Sequence, residues 1–126
     1  MIFAKRVFQA AGIYGAAVIL LGYAAYFLGA GGDAAIVTNH PEIVHGFFLV
    51  TFAWQIAFLV IATDPMRYRL VMLAAMLEKF PFTLAVLLLY AQGETTETVL
   101  ALGLIDGVLG LLFGVAYIMT NDTASD

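Results

Sequence analysis

Apolar residues run through this chain in four long blocks, separated by short polar breaks, at about 7–29, 41–62, 68–90 and 98–119. Each block meets the requirement of about 20 residues for a helix that crosses a bilayer. The breaks carry helix punctuation. His40-Pro41-Glu42 places a proline at the first turn of the second helix and an acid at the positive end of its dipole. Asp64-Pro65 closes the second helix and opens the third, with Asp64 as the capping residue. Gly93 ends the third helix, and Thr95, Thr96 and Glu97 cap the fourth. The pattern predicts an all-α membrane protein, a single domain over 1–126 made of one antiparallel four-transmembrane-helix bundle, since the connections are short. The first block is longer than the usual signal-peptide core of about 7–15 residues, so it reads as a retained helix although Lys5 and Arg6 precede it.

The breaks also differ in charge. Lys5 and Arg6 precede the first helix, and Arg67 and Arg69 sit at the turn between the second and third. The breaks at 30–40 and 91–97 hold no Lys or Arg, only Asp33, Glu94 and Glu97. Basic residues mark the cytoplasmic side, so the N-terminus, the 63–67 turn and the C-terminal NDTASD tail are expected to be cytoplasmic.

Composition supports a bilayer as solvent. Hydrophobic residues make up 63% of the chain and charged residues 11%, against about a quarter charged in an ordinary soluble domain. The net charge of −4 and the absence of a basic stripe argue against nucleic acid as a partner. No cysteine is present, which excludes thiol chemistry and thiolate metal sites. His40, Glu42 and His45 form no established metal spacing, and both histidines lie too near the outer edge to hold a haem, so no metal site is expected and any cofactor is unknown.

Three ionisable residues interrupt the apolar blocks at depth: Glu78 and Lys79 in the third helix, and Asp106 in the fourth. A charge there needs a partner, a proton or a function. Neighbours on a helix diverge by about 100°, so Lys79 is expected to turn away from Glu78 and to pair with Asp106 across the bundle, alone or in a three-residue cluster. Glu78, on the face of Ala74, Ala75, Phe82 and Ala85, is expected to point inward. It is then the surplus acid, neutralised by a shared or retained proton. Thr51 and Gln55 share a face of the second helix and could hydrogen-bond into the cluster. Pro81 removes a backbone donor and is expected to kink the third helix one turn away. Trp54 and Tyr14 lie deep enough either to line a pocket or to pack in a core. The cluster reads equally as a structural polar network or as a ligand, proton or ion site.

Small residues form packing faces. Gly103, Gly107, Gly110 and Gly114 line the fourth helix, and Gly15 and Gly22 stand among those of the first. Such faces allow close helix approach, within the chain or with a partner.

The segments LEKFPF and LIDGVLGLLFGVAY, with the length, the topology and the intramembrane carboxylates, resemble the small four-helix bacterial inner-membrane proteins of the DoxX-like kind. The resemblance implies the bacterial cytoplasmic membrane and an association with membrane redox or quinone chemistry, or an accessory role. The leading expectation is a small integral membrane protein with a polar midplane site for a small lipophilic or protonatable ligand. The alternatives are an accessory or assembly subunit of a larger membrane complex, docked by its glycine faces, and a proton-linked transporter acting as a homo-oligomer. A membrane enzyme has the least support.

Overall fold

The computed structural model describes residues 1–29 and 40–124. Asp33 with its loop, and the last two residues of the acidic tail, lie outside the described residues. The described chain is helical: α1 (Ile2–Phe27), α2 (Pro41–Thr63), α3 (Val71–Ala91) and α4 (Glu97–Ala124). All four are long and apolar enough to cross a membrane. Large apolar side chains such as Leu21, Leu70, Leu77 and Leu84 stand exposed on their outer faces. That distribution suits a hydrocarbon solvent and not water.

Three helix ends depart from the sequence expectation. α1 begins at Ile2, so Lys5 and Arg6 lie within it. Nothing there breaks a helix, and a charge near a helix end is compatible with helical backbone. α3 begins at Val71, because 65–70 form tight turns in which the N–H of Val71 donates to the carbonyl of Tyr68, and that of Met72 to Arg69. Asp64 caps this turn through the N–H of Arg67 at 3.2 Å. α4 carries on to Ala124, through the first part of the tail. Elsewhere the punctuation is as read: Pro41 occupies the first turn of α2. Thr96 Oγ1 accepts from the N–H of Val99 at the start of α4. Gly93 leaves α3 with φ +74°, a conformation that costs glycine nothing.

The helices follow one another around a ring. α1 packs closely against α2, and α3 against α4; α1 also meets α4, while the border between α2 and α3 is the thinnest. Residue numbers fall along α4 as they rise along α3. Met76, Phe80, Thr83 and Val86 meet Gly114, Gly110, Gly107 and Gly103 in turn. A methyl group on Gly103 would come within 2.9 Å of the stiff Val86 Cβ, so this interface depends on the missing side chain. Gly12 likewise brings α1 close to the Gln55 carbonyl. Gly15 receives the Gln55 side chain, and Gly22 faces Phe48. The glycine faces of α1 and α4 are thus covered by the chain's own neighbouring helices.

The core occupies one half of the ring. Phe8, Phe58 and Phe113 meet at its centre, fully buried, with the Phe8 and Phe113 rings stacked at 4.3 Å. Ala4, Ile61, Ala62, Met72, Ala75 and Ala116 extend the same cluster towards the end that carries the basic residues. There Arg69 lies 3.7 Å over the Tyr117 ring and donates to the Tyr117 carbonyl, a cation–π contact that the sequence did not suggest. Every buried residue of α1 lies between Ala4 and Gly15; the rest of that helix has none.

Candidate functional site: a half-open polar cavity

The other half of the ring encloses a cavity of about 470 Å³. Its size falls in the range of about 300–1,000 Å³ typical of small-molecule sites. All four helices contribute to it. α1 supplies Tyr14, Val18 and Gly22; α2 supplies Phe47, Phe48, Trp54 and Gln55; α3 supplies Glu78, Lys79 and Phe82; α4 supplies Leu102 and Asp106. Phe47 and Val50 line it and are 50% and 62% exposed, so the cavity reaches the molecular surface beside α2. The walls are mostly apolar, and the polar groups converge at one end.

Lys79 forms the floor. Its side chain is 4% exposed, and Nζ donates to Asp106 Oδ1 at 3.1 Å across the α3–α4 border. Nζ also lies 5.3 Å from the centroid of the Phe58 ring, so the ammonium sits where the aromatic core ends and the cavity begins. Thr83, one turn along α3 and buried, donates to the Gly103 carbonyl at 2.7 Å. This second link between α3 and α4 fixes their register beside the Lys79–Asp106 contact. Sequence reading missed it, although a threonine opposite a glycine-rich face is the pattern that permits it.

Two expectations about this cluster need correction. Glu78 and Lys79 do not diverge: Glu78 Oε2 lies 3.2 Å from Lys79 Nζ. The 100° rule fixes where Cβ atoms point, but both side chains are long enough for their ends to converge in the cavity. The packed face of α3 is also different. It runs through Met72, Ala75, Lys79, Thr83 and Val86, with Lys79 at its centre. Glu78 is at its margin, and Ala85 is exposed. α3 continues as a helix through Pro81, which is exposed.

Gln55 and Thr51 line the same cavity without hydrogen-bonding to the cluster. Gln55 is 1% exposed, and its Nε2 donates to the Thr51 carbonyl at 2.9 Å. A carbonyl only accepts, so this bond fixes the amide orientation and leaves Oε1 facing the other way. Among the described residues Gln55 Oε1 is buried without a hydrogen-bond partner. So is Glu78 Oε2, which is at ion-pair distance from Lys79 but outside hydrogen-bond geometry. Of the two buried acceptors on cavity-lining residues, Gln55 Oε1 therefore has no donor in place, and Glu78 Oε2 has the Lys79 ammonium at 3.2 Å. An orphaned buried acceptor costs about 1–3 kcal/mol and calls for a reason.

The histidines lie apart from this site. His40 Nδ1 is 3.0 Å from Glu42 Oε1 on the exposed start of α2, whereas His45 Nδ1 meets the Tyr23 hydroxyl of α1. His45 belongs to an aromatic group with Tyr23, Tyr26, Phe27 and Phe48 at the end of α1 and the start of α2. Tyr14 and Trp54, which sequence left between pocket and core, both line the cavity, and Trp54 also packs on Phe58. Phe82 lines the cavity with Glu78, as its place on that face suggested, whereas Phe48 and Leu102 carried no sequence signal, since apolar wall residues look like any others in an apolar helix. No family model, curated protein or solved structure matches the chain.

Proposed function

We propose that this chain is a small integral membrane protein that binds a small lipophilic or protonatable ligand in a polar site near the bilayer midplane. In this reading the helices run antiparallel, and the ends that carry Lys5, Arg6, Arg67 and Arg69 face the cytoplasm of a bacterial cell. Glu78 anchors the ligand or accepts its proton, Lys79 is the charge partner of both acids, and Asp106 is the counter-ion on α4. Lys79 is shared by the two acids, 3.1 Å from Asp106 and 3.2 Å from Glu78, and Glu78 is the acid assigned to the ligand.

The observation that carries the reading is the coincidence of the cavity with buried acceptors left short of hydrogen bonds. A structural polar network satisfies its own members, since a half-satisfied buried network is worse than an apolar core. Here Gln55 Oε1, without a hydrogen-bond partner, and Glu78 Oε2, held only by its ion pair with Lys79, belong to residues that line the cavity. The thin α2–α3 border and the exposed lining of α2 give a route from the lipid side. The accessory-subunit alternative loses its main support, since the glycine faces that would have docked a partner are used within the chain.

Mild purification followed by native mass spectrometry tests the proposal. A small molecule retained in stoichiometric amount, and lost on Glu78→Gln, is the expected result. A stoichiometric protein partner with no retained small molecule would overturn it in favour of the accessory role.

A further inference from the structure

We infer that the cavity selects an amphiphilic amine: a compact apolar body bearing a protonated amino group, held by Glu78 at the polar end that Gln55 also lines. The inference rests on the ligand-binding reading above and specifies its ligand class. It starts from the sign of what is missing. Gln55 Oε1, on a residue that is 1% exposed, is buried without a hydrogen-bond partner, and Glu78 Oε2 has an ion-pair contact with Lys79 at 3.2 Å in place of a hydrogen bond; both groups are acceptors. A ligand that completes the site must therefore donate. An alcohol brings one donor, whereas an ammonium brings three.

Charge points the same way. The site holds one ammonium, from Lys79, and two carboxyl groups, from Glu78 and Asp106. With all three ionised the sum is −1. A cationic head group brings it to zero, and an anionic one would bring it to −2 in a low-dielectric setting, where unpaired charge is most costly. The rest of the lining fits the other part of such a molecule. Val18, Phe48, Phe82 and Leu102 offer apolar wall, and Trp54 and Tyr14 offer aromatic faces that attract a cation. A cavity of about 470 Å³ accommodates a small amphiphile and not a whole phospholipid. A phospholipid amine would also carry its phosphate towards the two carboxyl groups, so a free amine fits better than a lipid head group.

Trp54 is the only tryptophan in the chain and lines the cavity, so its fluorescence reports on the site directly. The experiment titrates the full chain in phosphatidylcholine nanodiscs with three probes that share one apolar body: 1-adamantylamine, 1-adamantanol and 1-adamantanecarboxylate. The amine is expected to give a saturable change in Trp54 emission, binding at least about tenfold more tightly than the alcohol, with the carboxylate weakest. Glu78→Gln, with helicity confirmed by circular dichroism, is expected to abolish the preference for amine over alcohol. Gln55→Met is expected to weaken the amine by a smaller factor, and it serves as the test should Glu78→Gln not fold. Alcohol or carboxylate binding as tightly as the amine would overturn the amine class while leaving a ligand site in place. No saturable response from any of the three, nor from octylamine, octanol and octanoate, would remove the ligand-binding reading itself. Adding phosphatidylethanolamine to the nanodiscs is expected to leave the amine titration unchanged; competition by that lipid would overturn the free amine in favour of a head group.

Discussion

The two halves of this molecule are built from the same four helices and the same kinds of residue, yet one is filled and the other is hollow. In the filled half Phe8, Phe58 and Phe113 interlock, with alanines and Met72 closing the space around them. In the hollow half the aromatic residues stand around the margin, Lys79 joins Glu78 and Asp106, and Gln55 lines the same space without bonding to them. The difference teaches that apolar content does not decide packing here. The filled half places its large rings where they share one centre. The hollow half puts small residues such as Gly15 and Gly22 on α1 opposite the large side chains of α2, and α2 barely meets α3. In the proposed reading, stability and binding are assigned to different halves, which lets one be altered with limited damage to the other.

The largest expected effect is on stability in the filled half. Phe8 is fully buried and stacked on Phe113, so Phe8→Ala should cost about 3–5 kcal/mol, as for other large-to-small core changes. Phe48 is half-buried on the cavity wall, and Phe48→Ala should cost about 1 kcal/mol. Reversible unfolding in mixed micelles measures both. Equal losses would end the contrast between the halves.

Next come the charges at the boundary. Sequence alone suggests that Asp106→Asn strands Lys79, but with Glu78 Oε2 at 3.2 Å the ammonium keeps a carboxylate. The lysine is the group that cannot be spared, since Lys79→Met leaves two facing acids and removes the Phe58 contact. We expect Lys79→Met to cost about 3 kcal/mol, and Asp106→Asn distinctly less. The same unfolding assay ranks them, and the reverse order would show that Glu78 does not share the lysine.

These residues also show what the sequence could and could not tell. The four helices were legible because a run of apolar residues longer than a bilayer is thick has few other uses. The end signals at Pro41, Gly93 and Thr96 were legible because each acts through its own backbone. The approach of Lys79 to Asp106 follows from depth, since few groups at that level can answer a buried ammonium. The remaining features depend on side-chain reach and on packing between distant segments. Glu78 meets Lys79 because two flexible side chains bend together, which helical spacing does not encode. The start of α3 at Val71 reflects the packing of buried Pro65 and the tight turns after it. The cavity itself arises where α2 and α3 fail to close, and no local pattern in either helix announces that.

The smallest expected change in stability is the most informative. Gln55 is buried, and ordinarily the loss of a buried amide would be harmful. Its position divides the question in two: Nε2 is satisfied by the Thr51 carbonyl, while Oε1 is buried without a partner. Gln55→Met removes one hydrogen bond, worth about 1 kcal/mol, and with it an unsatisfied acceptor whose burial costs a similar amount. Methionine is close to glutamine in shape and adapts to irregular space, so packing beside Gly15 changes little. The net effect should lie within about 0.5 kcal/mol of zero, as unfolding would measure, although the residue is among the most deeply buried in the chain. Ligand retention should fall in the same variant. A loss of 2 kcal/mol or more with retention unchanged would mean that Gln55 belongs to the architecture of the filled half, and that the floor of the cavity is structural after all.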